Sequence, residues 1–308
     1  MNIVHSLAAL PTEDAVIFAI GFFDGFHLGH QSILAAAVNL AKSKDAKLGV
    51  ITFCPHPETI LFPERAFGVL ETETEKAQLM EALGVEIVAS LSVTREFLSE
   101  SPEMFLDELA AVPTLRGIVC GENFTFGKGA AGSPALLSSY FEKRNVPVRI
   151  CPLLTSEAIG GRAVSSTEIS ALLRKGDVRT AAKLLGRPYR LSGDVSQGFR
   201  RGSNLLGFPT ANLSLSENQI LPADGVYVTK VEIGGTLFSA VTNIGTNPTF
   251  GNEARTVETF ILDFDETIYG KPFAVEFWER LRGEKKFESP EALRTQIKED
   301  VRRARNEG

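Results

Sequence analysis

The chain has few of the residues from which disulfide scaffolds and metal clusters are built. Its 308 residues include three cysteines, one tryptophan and four histidines. Cys54, Cys120 and Cys151 form no CxxC pair, and each lies in or directly after an apolar run. An odd cysteine count without a disulfide pattern suits a reducing compartment, and the spacing argues against a zinc site. We therefore expect buried, reduced thiols at strand ends.

Long apolar runs and an excess of basic charge are also lacking. No 18 consecutive residues are apolar, and Pro11, Glu13 and Asp14 interrupt the first apolar stretch, so we expect neither a transmembrane helix nor a signal peptide. A net charge of −6 lacks the basic excess typical of nucleic-acid binders. The sequence thus predicts a cytoplasmic enzyme acting on small molecules, without nucleic-acid or membrane partners, as a monomer or weak homo-oligomer.

The composition and length favour a folded protein of two domains. The 44% of hydrophobic and 23% of charged residues are ordinary for a globular chain and exclude disorder and a collagen-like repeat. A chain of 308 residues is longer than one hydrophobic core usually supports. A change of texture near residue 186 predicts the domains 1–185 and 186–308.

The first 185 residues alternate apolar runs with helical patterns. This alternation predicts right-handed βαβ units and a Rossmann-like parallel sheet covered by helices. Ligands of such sheets bind at the carboxyl ends of the strands, here after Ile20, Phe53 and Val119. The predicted strands are 14–23, 47–53, 85–91, 115–121 and 146–151, and the predicted helices include 30–44, 72–84 and 101–112.

The residues after 186 are rich in β-forming runs separated by glycine, asparagine and proline. Runs at 189–196, 225–233, 236–245 and 257–264 predict a small antiparallel barrel or sandwich. A helix is predicted over residues 289–305. Its apolar positions Leu293, Ile297 and Val301 form one stripe that would dock on the β-structure.

The segment GFFDGFHLGHQSIL (21–34) is the densest local signal. A predicted strand ends in a glycine-containing turn, and a helix begins near Gly29. The unpaired N–H groups at the start of a helix suit phosphate. His27 and His30 can lie on one side of that turn and donate to phosphoryl oxygens, while Asp24 could orient a partner or help to hold a cation. The alternative is a glycine-rich turn that the histidines merely cap.

GFPTANL (207–213) is the clearest feature of the second half. Thr210 and Asn212 are two residues apart and would face the same side of a strand. Their neutral oxygens can coordinate Mg²⁺, a hard cation that prefers oxygen ligands. The alternative is a polar turn, since proline, threonine and asparagine are common in turns.

These motifs together resemble the prokaryotic bifunctional riboflavin kinase/FAD synthetase family. GFFDGFHLGH resembles its nucleotidylyltransferase motif, and TFCPHPE (52–58), GENFTFGKGAAG (121–132) and SSTEIS (165–170) follow in the family's order. In the second half, GDVSQGFRRGSNLLGFPTANL, NIGTNPTFG and VETFILDFDETIYG resemble its riboflavin kinase blocks. The resemblance implies a nucleotidylyltransferase-type α/β domain followed by a small antiparallel riboflavin kinase barrel with a C-terminal helix.

The resemblance implies that the first domain joins FMN and ATP into FAD. His27 and His30 would be its catalytic contacts to the ATP phosphates, and His56 would line the same cleft on the flavin side, unless it is only a loop histidine between two prolines. Simple core packing is the alternative for the two phenylalanines among the flavin-binding residues, and N-capping is the alternative for the late serines. The implied ATP- and phosphate-binding residues are Gly21, Phe23, Asp24, Gly25, Gly29, Ser165, Ser166 and Thr167, and the implied flavin-binding residues are His56, Asn123, Phe124 and Phe126.

The resemblance implies that the second domain phosphorylates riboflavin with ATP and Mg²⁺. Glu258 would be the general base, and the alternative is an outward-facing strand carboxylate. Thr210 and Asn212 would be the metal ligands. The nucleotide loop would use Gly198, Arg201 and Gly202.

Four positions depart from the family pattern. Asn123 stands where the family often has an acidic residue, and Thr125 stands where it often has a basic one. Ser170 replaces an arginine of the late phosphate turn, for which Arg162 or Arg174 could substitute, and Ser203 replaces an arginine of the kinase loop. These departures leave two alternatives open. Only one activity could be efficient, or the chain could be a non-catalytic, flavin-binding regulatory paralogue.

Overall fold

The computed structural model of the chain divides into two units. It describes residues 1–11, 13–64, 67–196, 210–215, 218–246, 255–264, 266, 268 and 270–306. The first unit comprises residues 1–67 and 73–164, and the second comprises residues 68–72 and 165–308. The short segment 68–72 joins the second unit because Val69 bridges Gln219 and Glu71 pairs with Arg187 at 2.8 Å.

A six-stranded sheet forms the centre of the first unit, and every neighbouring pair in it is parallel. The spatial order is β1-β4-β3-β2-β5-β6, so the order of the chain reverses between β2 and β5. Ligands of open parallel sheets bind at such a reversal, outside the carboxyl ends of the strands. The strands are β1 (Asn2–Val4), β2 (Val16–Ile20), β3 (Lys47–Cys54), β4 (Ile87–Ser92), β5 (Leu115–Gly121) and β6 (Val148–Cys151).

Apolar side chains cover both faces of this sheet, which confirms the predicted Rossmann-like layering. Alternate residues of β2 enter opposite cores: Phe18 and Ile20 pack in one cluster, and Ile17 and Ala19 in the other. Burial on both faces explains why the strands read as continuous apolar runs. The helices are α1 (Leu28–Ser43), α2 (Pro57–Leu61), α3 (Glu73–Ala82), α4 (Pro102–Ala110) and α5 (Pro134–Glu142).

Local sequence signals set where these helices begin. Ser101 caps α4 by accepting the N–H of Met104 at 3.3 Å, and Ser133 caps α5 by accepting the N–H of Leu136 at 3.3 Å. A proline occupies the first turn of α2, α4 and α5, where its missing N–H has no helical partner. The sequence did not predict β1, α2 or α5. Strand β2 is also shorter than expected, which leaves residues 21–23 free to turn.

The second unit is built on a closed six-stranded antiparallel barrel, which decides between the barrel and the sandwich. The order around the barrel is β10-β13-β12-β11-β14-β9, and β9 also pairs with β10. Strand β14 was not predicted, although it pairs with both β9 and β11. The strands are β9 (Tyr189–Ser196), β10 (Ala211–Leu215), β11 (Gly225–Ile233), β12 (Thr236–Thr246), β13 (Arg255–Ile261) and β14 (Pro272–Arg282). A separate hairpin of the first unit is formed by β7 (Thr155–Ser156) and β8 (Arg162–Ala163).

Among the described residues of the second unit, three segments are helical: α6 (Ser166–Lys175), α7 (Val178–Leu185) and α8 (Pro290–Asn306). The predicted terminal helix is thus present as α8. Its Val301 and Ala304 pack with Val226, Val228 and Val241 of the barrel. A buried ion pair between Arg282 of β14 and Asp300 of α8 reinforces this docking, with N–O distances of 2.9 and 3.1 Å.

Candidate active sites

The turn after β2 takes a backbone conformation that few residues adopt. Phe23, Gly25 and Phe26 have φ angles of +53°, +77° and +41°. Burial of both phenylalanine rings, at 0% and 1% exposure, compensates for this left-handed backbone. Gly29 is required for another reason, because a Cβ atom there would lie 3.1 Å from the His27 imidazole. The turn thereby brings the backbone at the start of α1 against the His27 ring.

His27 and His30 stack on each other at the start of α1, with ring centroids 3.7 Å apart. The backbone N–H of His30 donates to Nδ1 of His27 at 3.3 Å, so His27 caps the helix. In a neutral His27 this bond places the proton on Nε2. Burial, the neighbouring His27 and the Lys76 ammonium together hold the pKa of His30 well below its ordinary value. His30 is therefore neutral at pH 7, and capping and phosphate contact are compatible roles for the pair.

His56 lies beside the same turn. Its ring stacks on Phe67 with centroids 4.4 Å apart and contacts Phe22 at 5.0 Å. It also caps α2, because Glu58 donates its N–H to Nδ1 of His56 at 3.3 Å. Burial lowers the pKa of His56, with a smaller opposing effect of Glu58. The structure thus places three histidines from two loops at the carboxyl ends of β2 and β3.

The segment after β5 faces the point where the strand order reverses. Asn123 is exposed there, whereas Phe124 and Phe126 are each 7% exposed and belong to the core cluster with Phe53 and Phe105. Their burial agrees with the packing alternative for these two rings. Contact of Asn123, Phe124 or Phe126 with flavin stays a prediction.

Ser165, Ser166 and Thr167 belong to the second unit, where they open α6. The Oγ of Ser165 accepts the N–H of Glu168 at 3.3 Å, so N-capping is observed. Ser170, which stands in place of the family's arginine, is buried and donates to the carbonyl of Ser166 at 2.7 Å. Arg174 is one turn further along α6, about 6 Å from Ser170 in helix rise.

A polar row crosses the outside of the barrel. Glu258 of β13 lies directly opposite Asn212 of β10 on one side and Asn243 of β12 on the other. Residues directly opposite each other in antiparallel strands project from the same face, so the three side chains share one surface. Burial raises the pKa of Glu258. A carboxylate between two amides, with its pKa moved towards neutrality, is suited to accept a proton.

Further residues of the barrel lie close to this row in the strand register. Thr210 directly precedes β10, two residues before Asn212. Val241 and Phe260 lie opposite each other further along β12 and β13, and both pack with α8. The predicted loop residues Gly198, Arg201 and Gly202, and the departure Ser203, lie outside the described residues.

Two residues of these sites were not found by sequence reasoning. Lys76 of α3 affects the pKa of both His30 and His56, but in the sequence it is one lysine among several glutamates. Asn243 belongs to the NIGTNPTFG block, whose sequence indicates no role for this residue. Its position opposite Glu258 depends on strand register, which the block itself does not reveal.

The α/β sheet with histidines at its switch point and the barrel with its carboxylate–amide row fit a transferase acting on phosphorus, and the family matches show this class. The family model described as FAD synthetase matches residues 10–168, and the one described as riboflavin kinase matches residues 185–307. The chain belongs to the bifunctional riboflavin kinase/FMN adenylyltransferase family.

Similar proteins span the whole chain. The bifunctional riboflavin kinase/FMN adenylyltransferase of Bacillus subtilis is 34% identical over 99% of this chain and 96% of its own length. The Escherichia coli protein of that name is 30% identical over 98% of this chain and 95% of its own length. A crystal structure described as a macrolide-efflux protein from Streptococcus pneumoniae has a TM-score of 0.90 and 32% identity, covering 99% of this chain and 98% of that one. Among the described helices of the present chain, none is long and apolar enough to cross a membrane.

Proposed function

We propose that this chain makes both flavin cofactors. The barrel phosphorylates riboflavin with ATP to give FMN and ADP, and the α/β unit transfers AMP from a second ATP to FMN, giving FAD and pyrophosphate. The observation that carries the proposal is that each of the two matched family regions contains a cluster with the chemistry its reaction needs. The stacked histidines lie in the first region, and the Glu258 row lies in the second.

In the kinase reaction, Glu258 accepts the proton of the ribityl 5′-hydroxyl as its oxygen attacks the γ-phosphorus of ATP. The bond between the γ-phosphorus and the β–γ bridging oxygen breaks, and ADP leaves with the electron pair. Asn212 and Asn243 flank Glu258 in register on the outer face of the barrel. The raised pKa of Glu258 makes it a stronger base than an ordinary glutamate.

The donor set beside Glu258 fits Mg²⁺. Thr210 and Asn212 provide a hydroxyl and an amide oxygen, which are hard, neutral ligands, and Mg²⁺ commonly takes its remaining ligands from water and substrate phosphates. Thr210 and Asn212 would hold the ion. Bound Mg²⁺ would neutralise charge on the ATP phosphates.

In the adenylyl transfer, an FMN phosphate oxygen attacks the α-phosphorus of ATP and pyrophosphate leaves. No proton has to move at the reacting atoms, so the protein contributes positioning and hydrogen-bond donors. His27 offers its Nε2–H, since its Nδ1 is engaged by the backbone. The start of α1 adds backbone N–H groups and the positive end of the helix dipole.

Ser170 supports a second candidate, in which riboflavin phosphorylation is efficient and adenylyl transfer is slow. Its hydroxyl bonds back to the helix, so it supplies no charge where the family has an arginine. A charge-assisted hydrogen bond contributes roughly 1.5–3 kcal/mol. Loss of one such bond would slow the step by about 10- to 150-fold.

Product analysis with the full chain tests these candidates. Riboflavin with ATP and Mg²⁺ should give FMN and then FAD, and supplied FMN with ATP should give FAD. If FAD formed only from supplied FMN, this result would refute the bifunctional proposal. FMN accumulating with little FAD would favour the second candidate, and flavin binding without any product would identify a regulatory paralogue. We further propose a cytoplasmic location, in keeping with the buried thiols of Cys120 and Cys151.

A further inference from the structure

We propose that Lys76 is a phosphate-binding residue of the adenylyl-transfer site. Its ammonium group would contact the phosphates of FMN and ATP where they meet and would supply the positive charge that the neighbouring histidines lack. This inference rests on the proposed adenylyl transfer. The sequence-level motifs and the family regions assign no role to this lysine.

Lys76 lies on the face of α3 that packs against the turn after β2. Met80, one helical turn later, packs in the same apolar cluster as Phe23 and Phe26 of the turn after β2. Residues four apart lie on one face of a helix, so Lys76 shares the face that packs against this turn. Lys76 is 7% exposed, and lysine is almost never buried to this degree without a charged partner or ligand.

Within the described part of the chain, Lys76 pairs with Glu73, and the two side chains differ strongly in their exposure. Its Nζ lies 2.8 Å from Oε1 of Glu73, whose side chain is 49% exposed, whereas the Lys76 side chain is 9% exposed. The carboxylate thus lies at the surface, and the ammonium reaches inwards. An ammonium group has three N–H donors, so the pairing with Glu73 leaves donors for an anion.

Among the described residues, Lys76 supplies positive charge that acts on both histidines of this site. Its ammonium lowers the pKa of both His30 and His56, which come from different loops. Burial lowers these two pKa values further, so neither ring carries a charge at neutral pH. The buried Nδ1 of His30 has no hydrogen-bond partner among the described residues. The histidines therefore act as neutral dipoles within the electrostatic range of the buried Lys76 ammonium.

Adenylyl transfer needs a cation at this place. A bond forms between an FMN phosphate oxygen and the α-phosphorus, and the bond from the α-phosphorus to the α–β bridging oxygen breaks with its electron pair going to pyrophosphate. Two anions approach each other and negative charge grows on the leaving group. An ammonium group that acts electrostatically on both His30 and His56 would reduce this repulsion most in the transition state.

The test compares Lys76→Met, Lys76→Arg and a matched control, Lys47→Met, in the full chain. Lys47 also pairs with a carboxylate of the first unit, but this pair with Asp14 is exposed at 40% and 50%. We expect Lys76→Met to lower kcat for FAD formation from FMN and ATP by about 10²–10³-fold, with a smaller change in the KM values. Arginine should restore part of the rate, and Lys47→Met should leave it unchanged.

A purely structural lysine would give a different result. Methionine is close in length and apolar, so Lys76→Met should keep its thermal unfolding midpoint and its riboflavin phosphorylation rate. Removing the ammonium also raises the pKa of His30 and His56. If the residual rate requires neutral histidine, the rise in rate with pH should occur at a higher pH than in the unchanged chain. Loss of both activities together with a lower midpoint would overturn the proposal, as would a Lys76→Met rate within threefold of the unchanged chain.

The failure of this inference can be told apart from the failure of the proposed function. An unchanged chain that makes no FAD from FMN and ATP refutes the adenylyl transfer itself. An unchanged chain that makes FAD, together with a Lys76→Met variant that makes it equally fast, refutes only the role of Lys76. Inorganic pyrophosphate with FAD provides the reverse reaction, in which the same fold-loss is expected.

Discussion

Replacing Glu258 with glutamine removes the proposed base of the kinase reaction but keeps a side chain of nearly the same size and shape. Glutamine can keep the cross-strand row with Asn212 and Asn243, so the site retains its geometry. General base catalysis typically contributes about 10²–10⁴-fold, which is roughly 2.7–5.4 kcal/mol of transition-state stabilisation. We expect Glu258→Gln to lower kcat for FMN formation by this factor.

The raised pKa of Glu258 fixes the sign of two further effects. Because the base must be ionised, the rate of the unchanged chain should fall as the pH drops through this raised pKa, and the residual rate of Glu258→Gln should lack that decline. A carboxyl group whose pKa is higher in the folded state stabilises less as the pH rises between its unfolded and folded pKa values. Glu258→Gln should therefore be at least as stable as the unchanged chain at pH 7, and this difference should vanish in acid.

The assay follows FMN from riboflavin and ATP under saturating conditions. Glu232→Gln is the matched control, because Glu232 is another half-exposed barrel carboxylate, paired with Arg190. FAD formation from supplied FMN should be unchanged in both variants. A Glu258→Gln rate within threefold of the unchanged chain would refute the reasoning, because no other described residue of this row can accept a proton.

Three further outcomes follow from the barrel. Asp300→Asn breaks the buried ion pair with Arg282 and should lower the free energy of unfolding, measured with denaturant, by about 3–5 kcal/mol. The control Asp263→Asn removes the exposed ion pair with Arg305 and should lower it by less than about 1 kcal/mol. Equal losses in the two variants would contradict the docking role of the buried pair. Thr242→Val interrupts the buried hydroxyl ladder joining Thr229, Thr242 and Thr259, with O–O distances of 2.8 and 2.9 Å, and should lower the free energy of unfolding by about 1–3 kcal/mol in the same measurement. Asn212→Ala should raise the Mg²⁺ concentration needed for half-maximal FMN formation without affecting FAD formation from FMN at saturating Mg²⁺, and an unchanged Mg²⁺ requirement would exclude Asn212 as a ligand.

Much of the α/β unit was predictable because its signals are local. Strand β5 was predicted with both ends correct, and β3 with an error of one residue, because a strand buried on both faces is apolar throughout. Ser101, which caps α4, stands directly before an apolar helical pattern, and this is the position that a capping serine takes. The missed β14 also carried a signal, since Phe273, Val275 and Phe277 alternate and are buried.

Other features depend on contacts that the sequence pattern does not specify. Ser170 was treated as a missing arginine, and only the structure shows that its hydroxyl bonds to Ser166. The segment 68–72 lies within the first half of the sequence, yet it joins the second unit through Val69 and Glu71. The contacts of Val69 and Glu71 join positions more than 100 residues apart in the sequence. No local sequence pattern specifies which distant segment a residue will contact.

By itself, the sequence determined the two fold classes, the capped start of α1 and the residue types at both sites, because helix starts, strand runs and motif spacing depend on nearby residues. Only the tertiary structure decided which of these side chains meet and how they titrate. Strand register placed Glu258 between Asn212 and Asn243, and folding buried Lys76 where its ammonium lowers the pKa of both His30 and His56. Burial and electrostatic coupling arise from atoms brought together by folding, so the chemistry of these groups is a property of the folded chain.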